Sequence, residues 1–146
     1  MTIIPLNLPN APLNLSRKSG VVHVKCLVRN KYIVCTPEEW VRQHVLNYLI
    51  SVEGKKKGLM AVEYDLRYNG LKRRADIVVF NENGIPEVLI ECKATTVSLS
   101  NDVLNQAAQY NNELGVKKLI LTNGIEHVEC TVDHVKKKIQ FKKIWM

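Results

Sequence analysis

Three charged residues interrupt two apolar stretches and have the types and spacing needed to bind a metal ion. Asp76 lies within ADIVVF, and Glu91 and Lys93 lie within VLIECKA. A half-solvated strand is expected to alternate apolar and polar residues, and neither stretch does so cleanly. Carboxylate oxygens are the preferred ligands of hard divalent cations, so the pattern indicates metal-dependent chemistry. The alternative is a chance spacing, because cross-strand Glu–Lys pairs are common on protein surfaces.

Two Asn-Gly pairs predict hairpin turns that would bring these residues together. A two-residue turn at Asn83-Gly84 places Asp76 opposite Glu91, and one at Asn69-Gly70 places Glu63 opposite Asp76. Because side chains alternate along a strand, we expect one face of the sheet to carry Glu63, Asp76, Glu91 and Lys93 side by side. Adjacent carboxylates repel and Lys93 supplies one compensating charge, so a bound divalent cation is expected.

The segment Thr36-Pro37-Glu38-Glu39 has the composition of a helix start. Thr36 suits the N-cap, Pro37 suits the first helical position, and Glu39 can close a capping box. We expect this helix to run to about Val52. Its buried residues at helical spacing are expected to be Val41, His44, Val45, Tyr48 and Leu49.

The remaining patterns predict strands and one further helix. Residues 21–35 indicate two short strands that turn near Asn30, and a second helix is expected over about 101–114, ending at Gly115. Further strands are expected at 59–68, 72–80, 86–94, 117–122, 128–133 and 138–145. Residues 1–20 contain three prolines and are interpreted as an extended N-terminal arm, and residues 21–146 as a single domain. The fold class is therefore α/β or α+β, a mixed β-sheet flanked by helices in the order αβββαβ, with extra terminal strands.

Length and composition restrict the class of protein. A chain of 146 residues with 46% hydrophobic and 24% charged residues fits one folded domain. There is no apolar run long enough to span a bilayer and no signal-peptide pattern, so we expect a cytoplasmic protein with no membrane partner. The net charge of +7 favours a polyanion such as DNA, although many soluble proteins are mildly basic.

The four cysteines do not have the spacing of a zinc site. No C-x-x-C pair occurs, and each thiol has apolar neighbours, so buried reduced cysteines are expected.

Several segments together resemble the PD-(D/E)xK nuclease superfamily. The strings RRADIVVF (73–80) and LIECKA (89–94) carry the resemblance, which extends more narrowly to the N-terminal nuclease domain of type I restriction enzyme R subunits. TPEEWVRQ (36–43), AVEYDL (61–66) and LTNG (121–124) also look like that family. The resemblance covers about residues 5–130 and implies a restriction-endonuclease-like core. Ala75 departs from the pattern, since it stands where the superfamily name has proline.

The resemblance implies roles for individual residues. Asp76 and Glu91 match the metal-binding acids, and Lys93 matches the lysine of the motif. Gln106 and Tyr110 match a Q-x-x-x-Y pattern, and their spacing places both on one side of the second helix. Without the resemblance, Tyr110 would be interpreted as a core residue.

The family also has an acid on its first helix, for which Glu38 and Glu39 compete. Glu39 lies almost opposite the apolar stripe by helical periodicity, whereas Glu38 lies nearer to it. We therefore expect Glu38 on the active-site side and Glu39 in the capping box.

The implied reaction is metal-assisted hydrolysis of DNA phosphodiester bonds. Mg²⁺ or Mn²⁺ would be held by Asp76, Glu91 and the carbonyl of Cys92, and Lys93 would orient water or stabilise charge. Lys72, Arg73 and Arg74 can hold flanking phosphates, with an ordinary basic turn as the equal alternative.

The chain lacks the G-x-x-x-x-G-K-[ST] motif of a helicase motor. We therefore expect a stand-alone relative, a partner of separately encoded restriction or repair subunits, or a truncated piece; a homodimer stays open. The rival interpretation is a non-catalytic module that binds nucleic acid or protein and keeps the nuclease fold. A purely structural metal domain is the weaker third interpretation.

Overall fold

The computed structural model describes residues 4–68, 70–133, 135–136 and 138–145, without the side chains of residues 68, 71, 110, 112 and 113. Its elements are β1 (Leu15–Lys18), β2 (Val21–Lys25), β3 (Tyr32–Val34), α1 (Pro37–Ser51), β4 (Met60–Tyr68), β5 (Leu71–Phe80), β6 (Pro86–Cys92), α2 (Asn101–Leu114), β7 (Lys118–Thr122), β8 (His127–Asp133) and β9 (Lys138–Lys143). The order and approximate bounds from β2 onward are those expected from the sequence. Residues 15–18, expected within an extended arm, form strand β1 instead. Within the described residues, neither helix has the length and apolar character needed to cross a bilayer.

The strands form two sheets. Strands β1, β2 and β3 make a small antiparallel sheet, and a six-stranded sheet has the order β4-β5-β6-β7-β8-β9. Only β6 and β7 are parallel neighbours in the larger sheet, and α2 makes the crossover between them. The fold is therefore a mixed sheet with helices, as the sequence predicted.

Helix α1 separates the two sheets. Its residues pack with Cys26 of the β2–β3 turn and with Ile77, Ile90 and Ile120 of the larger sheet. Residues 41–46 of α1 are all buried, so the buried surface is much wider than the stripe expected from the sequence. Helix α2 covers the opposite face of the larger sheet, where Ala108 packs with Val78, Leu89 and Leu119.

The start of α1 follows the N-cap prediction. The Thr36 hydroxyl accepts a hydrogen bond from the Glu39 backbone N–H at 3.1 Å, and Pro37 is the first helical residue. The reciprocal half of the capping box does not form, because the Thr36 N–H donates to the Val34 carbonyl. The Glu39 carboxylate is therefore available to accept hydrogen bonds from other side chains.

The register between β5 and β6 matches the prediction, but the turn that produces it does not. Ile77 lies opposite Ile90, so Asp76 and Glu91 are next in register, as expected. The turn is wider than two residues, since the Asn81 N–H bonds to the Ile85 carbonyl. A bulge between Phe80 and Val79 then shifts the pairing by one residue and restores the predicted register.

Candidate active site

The regular alternation of side chains between the two faces of the sheet is interrupted in β4 and β5, at Glu63 and Asp76. The register is constant from Met60↔Val79 to Tyr68↔Leu71, but the ladder omits Glu63 and Asp76. Val62 packs on the α1 side, whereas Leu66 packs on the α2 side, although regular alternation would place them on one face. Glu63 has a left-handed φ of 53°, and this residue redirects the chain. Asn69 of the predicted turn lies outside the described residues.

As a consequence, the four charged residues do not share one face, and that expectation is wrong. Glu63 and Asp76 line a cavity of about 440 Å³ beside α1. Glu91 and Lys93 line a second cavity of about 400 Å³ beside α2. Asp76 lies at the boundary between the two cavities, because its Oδ2 accepts a hydrogen bond from the backbone N–H of Cys92, the residue after Glu91, at 2.7 Å.

Asp76 and Glu91 form an acidic pair across this boundary. Burial, followed by the negative charge of Asp76, raises the pKa of Glu91 to about 7, and a hydrogen bond with Asp76 acts in the same direction. The positive charges of Arg73 and Lys93 oppose this shift. In the absence of a cation, the Glu91 carboxyl group therefore retains its proton more strongly than an exposed glutamic acid would.

Two of the other residues implied by the resemblance also lie at this boundary. Gln106 of α2 and Lys93 line the same cavity as Glu91. Tyr110 lies one helical turn after Gln106, but its side chain is outside the described part of the structure. The structure therefore brings Gln106, Lys93 and Glu91 together and does not place the tyrosine ring.

The assignment of the α1 acids needs correction. Glu38 is exposed and lines the cavity that contains Asp76, consistent with the expected side. Glu39 lines it too and is 5% exposed, so the expectation that it faces away from the core is wrong. The Glu39 carboxylate accepts hydrogen bonds from Arg42 Nε at 2.8 Å, from Arg42 Nη2 and from Gln43 Nε2 at 2.9 Å. The helical stripe misplaced Glu39 because it counted apolar residues, whereas this face of α1 is buried and polar.

Arginines lie beside the acidic residues and offset part of the repulsion among them without a bound cation. Arg42 Nη2 lies 3.3 Å from Glu63 Oε1, and Arg42 Nη1 lies 3.9 Å from Asp76 Oδ1. Arg73 Nη2 lies 3.0 Å from Glu91 Oε1. The sequence-based argument for a cation counted Lys93 as the one positive charge beside the acids, because it did not place Arg42 and Arg73 within the site.

The three basic residues before Asp76 have different environments. Arg73 is paired with Glu91, and Arg74 is largely exposed with Nη2 3.4 Å from Glu63 Oε2. Lys72 is exposed on β5. Arg74 and Lys72 are thus accessible to a phosphate, whereas the Arg73 guanidinium first interacts with a carboxylate of the site.

The donor set fits a cation that keeps most of its own water. Within the described residues no group of three acidic, histidine or cysteine side chains is arranged to hold a metal. Asp76 and Glu91 supply two carboxylates, and Glu91 Oε1 is buried without a hydrogen-bond partner despite its contact with Arg73. Mg²⁺ commonly binds through one or two carboxylates plus waters, so this pair fits it. The Cys92 backbone is adjacent through its N–H.

The four thiols lie in the interior of the protein. All four cysteines are free and buried. Complete burial, and then the charge of Asp76, raises the pKa of Cys92, so its sulfur stays protonated. This confirms the expectation of buried, reduced cysteines.

Sequence reasoning missed Arg29 and Arg42, which both contact the site acids. The signal available for Arg42 was its position three residues after Glu39, a spacing that allows an ion pair within one helix. No local signal identifies Arg29, because it reaches Glu63 from the β2–β3 turn, 34 residues away in sequence.

Comparison with known proteins identifies a protein family and a solved structure with local similarity. The model of the family described as Type I restriction enzyme R protein N terminus (HSDR_N) matches residues 37–144, from α1 to the end of β9. A fragment structure assigned to the HsdR subunit of a type I restriction enzyme from Vibrio vulnificus YJ016 is 22% identical, with a TM-score of 0.41. That match covers 57% of this chain and 18% of that chain. The comparison with curated proteins gives no match.

Proposed function

The chain belongs to the family of type I restriction enzyme R protein N termini, and on that premise we propose that it is a Mg²⁺-dependent nuclease module that hydrolyses DNA phosphodiester bonds. The observation that carries the proposal is the acidic pair of Asp76 and Glu91, with Lys93 and Gln106 beside it. Two interacting carboxyl groups that are next to a lysine and open to two cavities suit phosphoryl chemistry.

Asp76 and Glu91 would hold the cation, Mg²⁺ or Mn²⁺, with the backbone of Cys92 beside them. A cation bound there supplies charge that polarises the phosphate and lowers the pKa of bound water. For binding, Glu91 must lose its proton and Arg73 must share Glu91 Oε1. Both requirements are local, because no main-chain contact of β6 has to break.

The protein's own cations act on the phosphate. The Lys93 ammonium stabilises negative charge that develops on the phosphate, and Gln106 offers amide donors and an acceptor on the same cavity wall. Arg74 and Lys72 hold phosphates that flank the cleaved bond. In this proposal the macromolecular partners are DNA and other, separately encoded type I restriction subunits.

One observation favours the alternative of a non-catalytic binding module. Arginines already form ion pairs with Glu39, Glu63 and Glu91, so these three carboxylates have a positive partner without a bound cation. If these ion pairs persist in Mg²⁺, the domain binds DNA and does not cleave it.

A cleavage assay separates the two functions. Plasmid, linear and single-stranded DNA are incubated with the protein in Mg²⁺, Mn²⁺, Ca²⁺ or EDTA. We expect cleavage in Mg²⁺ or Mn²⁺ and little in Ca²⁺ or EDTA. Asp76→Asn, Glu91→Gln and Lys93→Ala should each lower the rate at least about 100-fold, because each removes a ligand or a charge from the reacting centre.

The matched control is Glu87→Gln. Glu87 is exposed and lies on β6 like Glu91, but lines neither of the two cavities. Its variant should cleave at the wild-type rate. Binding without cleavage under every metal condition would establish the non-catalytic alternative, and full activity of Asp76→Asn would remove Asp76 from the mechanism.

A further inference from the structure

The carboxylate of Glu63 is surrounded by three arginines from three separate parts of the chain. Its Oε2 lies 3.1 Å from Arg29 Nη1 and 3.4 Å from Arg74 Nη2, and its Oε1 lies 3.3 Å from Arg42 Nη2. Arg29 comes from the β2–β3 turn, Arg42 from α1 and Arg74 from β5. We name these three side chains the arginine triad.

The arginine triad is accessible to solvent through Arg29 and Arg74, whereas Arg42 forms its buried side. The Glu63 side chain is 37% exposed and lies on the wall of the 440 Å³ cavity. Lys31 and Thr36 line the same cavity and add a cation and a hydroxyl. An anion from solution can therefore reach Arg29 and Arg74 directly, and it can reach Arg42 once the Glu63 side chain moves aside, without any element of the fold moving.

Glu63 reaches the arginine triad at a conformational cost. Its φ of 53° is in the left-handed region, which is unfavourable for a side chain with a Cβ. Within the described residues, Arg29 Nε is also buried without a hydrogen-bond partner, so Glu63 leaves part of the donor capacity of the triad unused. A carboxylate offers two oxygens in one plane, whereas a phosphodiester can meet guanidinium groups that converge from different directions.

From these observations we infer that the arginine triad is a binding subsite for a DNA phosphate, and that the Glu63 carboxylate occupies it in the free protein and is displaced when DNA binds. The identity of the ligand as DNA rests on the proposed function. The subsite adjoins the acidic pair, because Arg42 Nη1 lies 3.9 Å from Asp76 Oδ1. The subsite therefore binds a phosphate adjacent to the phosphate at the acidic pair. In the free protein the Glu63 carboxylate competes for this subsite.

Binding measurements in EDTA test the inference without cleavage. The probe is a fluorescein-labelled duplex of about 20 base pairs, titrated with each variant at fixed salt. Glu63→Gln should bind about tenfold more tightly than the wild type, because the competing carboxylate is gone. The matched control is Asp65→Asn, an exposed carboxylate two residues along β4, which should change the affinity less than about twofold through charge alone.

A double-mutant cycle shows whether the effect passes through the arginine triad. Arg29→Gln should weaken binding, and in its background Glu63→Gln should gain much less than tenfold, because part of the subsite is missing. Glu63→Gly provides a second variant that removes the carboxylate and suits the left-handed backbone. Inorganic phosphate alone should raise the melting temperature of Glu63→Gln more than that of the wild type or Asp65→Asn.

The inference is overturned if Glu63→Gln binds no tighter than Asp65→Asn, or if its gain is unchanged with Arg29→Gln. It is also overturned if both Glu63 variants unfold, since a carboxylate essential for folding cannot be displaced. Tighter binding by Glu63→Gln in a protein that never cleaves DNA would support the inference while refuting the nuclease proposal. DNA cleavage by the wild type, together with a DNA affinity that Glu63→Gln leaves unchanged, would support the nuclease proposal and refute the inference.

Discussion

The guanidinium group of Arg42 joins acids from three elements of the structure. It is hydrogen bonded to Glu39 on its own helix, contacts Glu63 on β4 and lies near Asp76 on β5. Burial alone would lower the pKa of Arg42, but the hydrogen bond and charge of Glu39, followed by the charges of Glu63 and Asp76, raise it instead. Because Arg42 is buried and positively charged, it binds Glu39 firmly and keeps Glu63 and Asp76 close to α1 in the free protein.

Replacing Glu39 with Gln should destabilise the protein far more than replacing Glu38. Glu39→Gln removes the main counter-charge of a buried arginine and should lower the free energy of unfolding by about 3 kcal/mol. Glu38 is exposed, so Glu38→Gln should change it by less than about 0.5 kcal/mol. Urea denaturation measures both variants. Equal effects would contradict the assignment of Glu39 as the structural partner of Arg42.

The protonation of Glu91 should make the metal-free protein more stable at mildly acidic pH. Its folded-state pKa of about 7 lies above the ordinary value of 4.5, so its contribution is fully present below about pH 4.5 and is lost as the pH rises through 7. Glu91→Gln cannot ionise and lacks this loss. The free energy of unfolding of Glu91→Gln, relative to that of the wild type, should therefore increase by about 2 kcal/mol from pH 5 to pH 8 in EDTA.

The same pH series on Glu87→Gln provides the control, since that exposed carboxylate should give no such relative gain. A difference between Glu91→Gln and wild type that stays constant with pH would show that Glu91 is ionised throughout. The burial of the Glu91 carboxyl group beside Asp76 would then be incorrect.

At the scale of elements, the loop after β7 attaches the N-terminal arm to α1. The Asn7 N–H donates to the Gly124 carbonyl, and His127 Nε2 lies 2.9 Å from the Asn7 carbonyl oxygen. Burial lowers the pKa of His127, although its hydrogen bond to Asn7 opposes the shift. The neutral ring must therefore donate through Nε2, and Nδ1 accepts from the Thr122 hydroxyl at 2.7 Å. The LTNG segment is thus explained by structure: it forms the loop that holds the arm.

Replacing Gly124 with Ala should loosen this attachment. A Cβ at Gly124 would lie 2.8 Å from Leu6 Cδ2 and 3.1 Å from Val41 Cγ2, in a backbone with φ of 87°. We expect a loss of about 2–3 kcal/mol in the free energy of unfolding from the combined clash and backbone strain. The measurement is urea denaturation monitored by tryptophan fluorescence.

The control for Gly124→Ala is Gly115→Ala at the end of α2. Gly115 has a similar φ of 76°, but a Cβ there would have no neighbour within 4 Å. It should lose about 1 kcal/mol, from backbone strain alone. If both variants lose the same amount, the contact between the arm and α1 contributes no stability.

At the scale of the whole molecule, the net charge of +7 attracts a polyanion while the site acids are held by arginines. Exposed cations near the site belong to the β2–β3 turn and to β5, so DNA binding should depend mainly on phosphate contacts. Base-specific contacts require side chains directed into a groove, and neither helix has a predominantly basic face that would place one there.

Binding of the wild-type protein to duplex DNA should therefore weaken steeply with salt. Each neutralised phosphate contributes about −0.9 to the slope of log K against log salt. Three phosphates, held by the arginine triad, by Lys72 and by Lys93, therefore predict a slope of about −3. Fluorescence anisotropy in EDTA at several salt concentrations measures it, with duplexes of unrelated sequence as controls. A flat salt dependence would contradict binding through phosphates, and a large difference between duplexes would contradict the lack of base readout.

The elements and the acidic pair were predictable because their signals are local. Thr36 and Pro37 begin α1 by backbone capping, and the apolar runs and Asn-Gly pairs predict the strands and their turns. Even where the turn before β6 is wider than expected, a bulge restores the predicted register. The hydrophobic pattern explains this, because a shift of one residue would expose the core side of β6.

The sequence by itself determined the order of elements, the opposition of Asp76 and Glu91, and the types of residue at the site. Only the tertiary structure decided which face each acid takes and which cation neutralises it. The β4–β5 ladder is interrupted at Glu63 and Asp76, which line one cavity while Glu91 lines the other, and Arg29 reaches Glu63 from a distant turn. The burial of Glu39 likewise depends on α1 lying between two sheets. Periodicity describes one element at a time, whereas ion pairing and burial arise where separate elements meet.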